Sequence, residues 1–107
     1  LTVHRGNVEE LCAGSIAKEF EKLGGKVIYF GKPYNEIYKM CFNSNEKVLA
    51  IGDNLRTDIR GANNLSIDCL FITDGVHRDE YKNVSELDTL LKKYDVKANF
   101  FQNELKW

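Results

Sequence analysis

The chain lacks several features that would assign it to a specialised class of protein. It contains one Pro, and its three cysteines, Cys12, Cys41 and Cys69, are far apart and odd in number. This usage is typical of a reducing compartment, so we expect a cytoplasmic protein without a disulfide framework. No apolar run approaches the length of a membrane helix, and no signal-peptide pattern is present, which predicts no membrane association. The formal net charge of −1 indicates no basic surface for nucleic acid.

The composition is that of a globular chain. A hydrophobic content of 43% over 107 residues is enough for one packed domain or for a piece of one. Because the first residue is Leu rather than Met, we expect a piece of a longer chain.

Apolar runs alternate with amphipathic stretches along the chain, which predicts the α/β class. The runs near 48–52 and 69–72 are apolar on both faces, as in a parallel sheet covered by helices. We predict parallel strands near 27–30, 48–52 and 69–72, and helices at 8–23, 33–42, 58–65 and 85–94.

Several of these boundaries depend on capping residues. Asn7 predicts the start of the first helix, and Gly24-Gly25 predict its end, one of them with positive φ. Pro33 is predicted to open the second helix and Ser85 the last. The aromatic tail at 98–107 either pairs as an edge strand or lies over the sheet.

The most informative stretch is K-V-L-A-I-G-D-N-L-R-T-D-I-R-G-A at 47–62, in which Asp53 and Asp58 follow a buried strand. In an open α/β sheet, ligands bind outside the carboxyl ends of the strands. Two carboxylates at that place indicate a Mg²⁺ site, because Mg²⁺ takes oxygen ligands and usually one or two carboxylates. The alternative is that Asp58 caps the next helix and Asp53 is an ordinary loop acid.

Three further polar residues lie near the ends of predicted strands. Lys32 stands between a strand end and a helix start, where a solvated surface lysine is the simplest interpretation. Asp68 begins a strand, so it should lie at the opposite end of the sheet from Asp53 as a surface acid. His77 follows the next strand and should share the edge of Asp53, where we expect a solvated loop histidine.

Gly31-Lys32-Pro33, followed by a helix, a strand and G-D-x-x-x-x-D, resembles the haloacid-dehalogenase (HAD) superfamily, in particular its class IIA phosphatases. The resemblance covers most of the chain and implies part of a three-layer Rossmann-like core, with a short parallel sheet flanked by helices. It implies that Asp53 is a Mg²⁺ ligand and Asp58 a second acid that holds the metal's waters or orients the site. We predict that Asp53, Asp58 and the nearby Asn54 bring oxygens close enough to share one Mg²⁺, directly or through water. Lys32 would neutralise charge between the nucleophile and the phosphoryl group.

The chain departs from the family pattern in what it lacks. Enzymes of this family attack phosphorus with an aspartate from an early D-x-D motif, and no D-x-D is present here. The resemblance therefore implies that residues 1–30 are the end of a cap domain with its return strand, and residues 31–107 the C-terminal part of the core. Ser66 stands where the family often has a helix-ending Gly, and Asp74 where a Gly is common.

These implications predict part of a Mg²⁺-dependent phosphomonoester hydrolase that uses an aspartyl-phosphate intermediate on a small phosphorylated substrate. We expect the chain alone to be inactive, and to self-associate or pair with the missing N-terminal half. Two alternatives stay open: an inactive fragment, and a non-enzymatic Mg²⁺-binding module like a receiver domain. Receiver domains place the acids early and the Lys last, whereas Lys32 precedes Asp53 here, which disfavours them.

Overall fold

A computed structural model describes residues 2–106, so Leu1 and Trp107 of the predicted segments lie outside the described residues. A hairpin comes first, formed by β1 (Thr2–Arg5) and β2 (Val8–Leu11), and is followed by the helix α1 (Ala13–Lys22). The remaining elements are α2 (Asn35–Lys39), β3 (Leu49–Gly52), a π-helical turn (Leu55–Ile59), α3 (Arg60–Asn64), β4 (Asp68–Ile72), 3-10 turns (Arg78–Glu80 and Val84–Glu86), α4 (Leu87–Lys93) and β5 (Phe100–Gln102).

The β1–β2 hairpin corrects the prediction of one helix over 8–23. Gly6 and Asn7 form a two-residue turn, and the φ of 62° at Gly6 is one that glycine adopts without steric cost. Asn7 is therefore a turn residue and not a helix cap, and the helix begins at Ala13. Its predicted end is confirmed, because Gly24 has a φ of 86°.

Strands β3, β4 and β5 form a parallel sheet in that order, which confirms the parallel pairing predicted for 48–52 and 69–72. The third strand is a correction. Residues 27–30 form no strand within the described chain, because they lack a hydrogen-bonded neighbour there. The third position is taken by β5, so of the two alternatives for the tail the edge strand is correct.

The core lies between the sheet and the helices α3 and α4. On β4, Cys69 and Phe71 point to this side and are fully buried or nearly so. The opposite face and the free edge of β3 are open, with Leu49 47% and Ile51 43% exposed. The buried apolar residues form one cluster: Leu55, Ile59, Ala62, Cys69, Phe71, Leu87, Leu90, Tyr94 and Val96.

The starts of the other three helices also differ from the predicted ones. The second helix begins at Asn35, so Pro33 precedes it and does not open it. The third begins early, in the π-helical turn, because Asn54 caps the N–H of Arg56. The last starts with a 3-10 turn at Val84–Glu86, and the Ser85 hydroxyl donates to Asn83 and caps no helix.

The turn after α3 requires a left-handed residue, as the departure at Ser66 implied. Ser66 has a φ of 56°, where a Cβ is unfavourable. No helix within residues 2–106 is long and apolar enough to cross a lipid bilayer.

Candidate active site

Asp53 lies directly after β3, at the edge of the sheet where β3 and β4 both end. Its Oδ2 accepts a hydrogen bond of 3.0 Å from the backbone N–H of Val76, which lies in the loop after β4. A Cβ added at Gly75 would overlap the Asp53 carboxylate, so this close approach requires glycine. Within the described chain, Oδ1 of Asp53 has no hydrogen-bond partner and is available to a ligand.

Asp58 folds back towards the end of the same strand. Its Oδ2 accepts from the backbone N–H of Asn54 at 3.2 Å, and its carboxylate packs where a side chain at Gly52 would otherwise lie. Asp58 thus stabilises the loop backbone with one oxygen, but it does so from inside the π-helical turn whose N-cap is Asn54, so the alternative that Asp58 caps the next helix is wrong. Its other oxygen, Oδ1, forms an ion pair with Lys32.

Lys32 reaches this edge from the loop before α2 and contacts Asp58. The hydrogen bond to Asp58 raises the pKa of the Lys32 ammonium, so the side chain stays cationic. Lys32 remains 53% exposed, whereas the Asp58 side chain is 12% exposed. The structure therefore places a cation with open donor positions beside a largely covered acid.

Asn54 lies between Asp53 and Asp58 in sequence, but its side chain is hydrogen-bonded within the loop. Its Oδ1 accepts a hydrogen bond of 2.9 Å from the N–H of Arg56. Its role as a metal ligand stays a prediction.

The donor set suits a hard cation only in part. Asp53 and Asp58 supply carboxylate oxygens at one sheet edge, which is the ligand chemistry of Mg²⁺. Residues 2–106 contain no group of three His, Cys, Asp or Glu side chains placed to hold a metal. Two acids fit a Mg²⁺ ion that keeps several waters or takes a further ligand from elsewhere.

Tyr38 closes one side of the site. Its hydroxyl lies 3.4 Å from the carbonyl oxygens of Thr57 and Asp58, and its ring occupies the space left by the missing side chain of Gly61. Burial is the main cause that raises the pKa of Tyr38. A hollow of about 200 Å³ lies beside Tyr38, Lys32 and Asp58, and it is lined on its far side by apolar residues of β3.

His77 is the site residue that sequence reasoning missed. It shares the edge of Asp53, as expected, but it is 3% exposed, so the prediction of a solvated loop histidine is wrong. Its Nε2 accepts a hydrogen bond of 3.1 Å from the N–H of Leu55, and its Nδ1 contacts Glu80. The sequence signal is weak, because G-V-H after a strand gives the position of the ring and not its burial.

The Glu80 carboxylate, which contacts His77, accepts several hydrogen bonds. It accepts from the Tyr94 hydroxyl at 2.6 Å and from the Lys93 ammonium at 2.9 Å, in addition to His77. These hydrogen bonds lower the pKa of Glu80 from 4.5 to about 2. Arg56 also lies over the Tyr94 ring, 5.1 Å from its centroid.

Asp68 lies away from this edge, as predicted. It pairs with Leu49 at the start of the ladder, is exposed, and accepts from the Asn99 side chain. It takes no part in the candidate site.

Comparison with models of known families assigns the chain to one of them. The model of the HAD-hydrolase-like family matches residues 29–97, more than half of the sequence. The chain belongs to the HAD-hydrolase-like family. No curated protein sequence matches it significantly.

Three solved structures resemble this HAD-like chain. A haloacid dehalogenase-like hydrolase from Brucella suis 1330 is 28% identical with a TM-score of 0.67, and the match covers 98% of this chain and 41% of that one. A p-nitrophenyl phosphatase from Archaeoglobus fulgidus is 15% identical, with a TM-score of 0.72 and coverage of 96% and 40%. A possible sugar phosphatase of the HAD superfamily from Cytophaga hutchinsonii is 20% identical, with a TM-score of 0.68 and coverage of 99% and 40%.

These matches confirm the fold class, an α/β arrangement with a short parallel sheet flanked by helices. The HAD-like chain spans about two fifths of the length of the solved structures it matches. The site residues of the family pattern, Lys32, Asp53 and Asp58, meet at one sheet edge in this fold.

Proposed function

We propose that this HAD-like chain is the charge-stabilising part of a Mg²⁺-dependent phosphomonoester hydrolase. The observation that supports the proposal is the meeting of Lys32, Asp53 and Asp58 at the carboxyl edge of the parallel sheet. Phosphoryl transfer depends mainly on positioning and on stabilising charge at the phosphoryl oxygens, and this site offers groups for both tasks.

Each residue has a proposed role that follows from its surroundings. Asp53, whose Oδ1 is available, would hold Mg²⁺ directly. Asp58 has both oxygens engaged, so it would orient the site and hold the waters of the metal. Asn54 would support the loop and add an oxygen through water. When bound, Mg²⁺ would neutralise charge on the phosphoryl group. Lys32, half exposed and cationic, would bind a phosphoryl oxygen from the other side.

The nucleophile is proposed to be an aspartate that this chain does not contain. The sequence lacks a D-x-D motif, and the described residues supply too few ligands to enclose a metal. An aspartate from a separate segment would complete the metal site and form the aspartyl-phosphate intermediate with a small phosphorylated substrate. Asp53 cannot take this role, because a metal-bound carboxylate is a poor nucleophile.

The open surfaces indicate where such a segment would pack. The free edge of β3 and its exposed Leu49 and Ile51 side chains would be covered either by the missing half or by a second copy. Residues 1–30 would be the end of a cap domain, because α1 buries none of its residues against the rest of the chain. Residues 31–107 would be the C-terminal part of the core. The three free cysteines favour a cytoplasmic location.

Titration with Mg²⁺, followed by NMR, tests the metal site in the chain as it stands. We expect the amides of residues 52–58 to shift first, with weak affinity, and Asp53→Asn to abolish these shifts. Asp68→Asn, at the opposite end of the sheet, is the matched control and should leave them unchanged. Shifts confined to another acidic surface would show that the site is wrongly assigned.

An assay with p-nitrophenyl phosphate and Mg²⁺ tests the missing nucleophile. We expect no measurable turnover by this chain, because lost orientation of the reacting groups alone can cost several kcal/mol of barrier. Turnover that disappears in Asp53→Asn would show that the chain is itself a complete catalyst. A longer chain that includes a D-x-D segment should hydrolyse the substrate, and Asp53→Asn in that chain should lower kcat at least about 100-fold.

A further inference from the structure

His77 is a buried titratable side chain to which the proposed function gives no role. It lies in the loop after β4, between the rings of Phe71 and Tyr94, with ring centroids 6.5 Å and 4.8 Å away. Both of its ring nitrogens are engaged, Nε2 with the N–H of Leu55 and Nδ1 with Glu80. A buried histidine held at both nitrogens is ordered in position and in orientation.

The two contacts determine which nitrogen carries the proton. A backbone N–H can only donate, so Nε2 must present its lone pair to Leu55. In the neutral ring the proton is then on Nδ1, which donates it to the Glu80 carboxylate. Glu80 is itself held by the Tyr94 hydroxyl and the Lys93 ammonium at the end of α4.

The backbone N–H of Leu55 differs from the other backbone N–H groups of the loop between the two acids in where its acceptor lies. The N–H groups of residues 56–59 donate to the side chain or carbonyl of Asn54, and the N–H of Asn54 donates to Asp58. Among the backbone N–H groups of residues 54–59, that of Leu55 alone donates to an acceptor outside this segment, the ring of His77. His77 therefore completes the capping of a helix start whose N–H groups have no partner within the helix.

A second hydrogen bond joins the same two loops, but its donor lies in the loop after β4 and its acceptor in the loop after β3. The N–H of Val76, adjacent to His77, donates to Asp53 at 3.0 Å, while Leu55, two residues after Asp53, donates to His77. These reciprocal bonds join the loop after β3 to the loop after β4 at two neighbouring points. Because both bonds have normal hydrogen-bond lengths and the ring is buried, the position of Asp53 is coupled to that of His77.

We propose that His77 is a positioning residue that holds the loop of Asp53 and Asp58 in its metal-binding geometry through the N–H of Leu55. The proposal rests on the proposed metal site, and it adds that α4 supports this site through Glu80 and the His77 ring. Removing a group that is hydrogen-bonded directly to a metal ligand typically weakens metal binding 10- to 100-fold. His77 acts through Leu55, which is not itself a proposed ligand, so we expect an effect at the low end of this range.

The ring nitrogens of the unmodified chain give the first test, which needs no metal. Long-range ¹H–¹⁵N correlation spectra should show Nδ1 protonated and Nε2 unprotonated and hydrogen-bonded, with a downfield amide proton at Leu55. A ring protonated at Nε2, or at both nitrogens, would overturn the proposal, because such a ring cannot accept from Leu55.

Variants give the second test, with Mg²⁺ as the probe and the loop amides as the readout. His77→Phe keeps an aromatic ring but removes the acceptor, and we expect about tenfold weaker Mg²⁺ binding and an upfield shift of the Leu55 amide proton. His77→Gln places a carbonyl oxygen near the position of Nε2 and should recover most of both effects. Leu90→Ala truncates the core but removes none of the side chains that form these hydrogen bonds, so it should lower stability without changing either readout in the folded fraction.

The outcomes separate this inference from the proposed function. If the wild-type loop amides do not respond to Mg²⁺, the metal site fails, while the ring nitrogens and the Leu55 amide still decide whether His77 holds the loop. If the wild-type chain binds Mg²⁺ and folded His77→Phe binds it equally well, His77 does not position the site and the inference is wrong.

Discussion

Replacing Glu80 with Gln tests how much the polar cluster beneath the candidate site contributes to stability. The Glu80 carboxylate accepts from Tyr94, His77 and Lys93, and these hydrogen bonds lower its pKa from 4.5 to about 2. Gln has the shape of the protonated acid, so the variant removes the charge with little change in packing.

The sign of the effect follows from the direction of the pKa change. A carboxylate with a lower pKa in the folded state stabilises the fold above its unfolded value, and loses that stabilisation as pH falls from about 4.5 towards 2. The full lowering would correspond to about 3 kcal/mol. Because the Glu80 side chain is 30% exposed and that of Lys93 is 62% exposed, solvent screening reduces the expected contribution to about 1–2 kcal/mol.

Urea unfolding of both chains, at about pH 7 and about pH 3, measures this contribution. We expect Glu80→Gln to be less stable by about 1–2 kcal/mol at pH 7, with most of this difference lost at pH 3. Asp79→Asn neutralises the exposed neighbouring acid and should change stability by less than about 0.5 kcal/mol. A loss that is equal at both pH values would refute the link between Glu80 ionisation and folding.

Three further substitutions test the local geometry. Gly75→Ala should displace the Asp53 carboxylate, because the added Cβ would overlap it, and we expect about tenfold weaker Mg²⁺ binding by NMR titration; an unchanged titration would contradict this steric argument. Ser66→Gly should raise the free energy of unfolding by about 1 kcal/mol, because a φ of 56° disfavours a Cβ, and urea unfolding that shows a decrease would refute this. Lys32→Met should cost less than about 1 kcal/mol, since the ammonium is half exposed; a larger loss in the same assay would show that the pair with Asp58 is mainly structural.

The misassigned elements show where local pattern was insufficient. V-E-E-L at 8–11 satisfies a helical period together with the residues that follow, but β1 supplies a partner strand and Gly6 permits the tight turn, so pairing prevails. Residues 27–30 have strand-forming side chains but no neighbour in the described chain, whereas β5 has β4 beside it. A strand depends on its partner, and a single segment carries no information about which partner is present.

The sequence by itself determined the features that depend only on local side-chain pattern and on strand direction. The apolar run of β3 and the acids that follow it were enough to predict a site at the carboxyl end of a parallel sheet, because strand direction decides where loops emerge. Lys32 was assigned to this site only through the family resemblance. The positive φ predicted for one residue of Gly24-Gly25 also followed from local chemistry, and Gly24 adopts it.

Only the tertiary structure decided how these groups are held. The pairing of Lys32 with Asp58, the close contacts at Gly52 and Gly75, and the burial of His77 each join residues that are distant in sequence. From the sequence, a histidine next to a turn is expected to be solvated. In the structure, His77 is buried beside the rings of Phe71 and Tyr94. Burial and hydrogen bonding between distant segments are properties of the packed chain, which is why local sequence patterns could place His77 but could not assign its role.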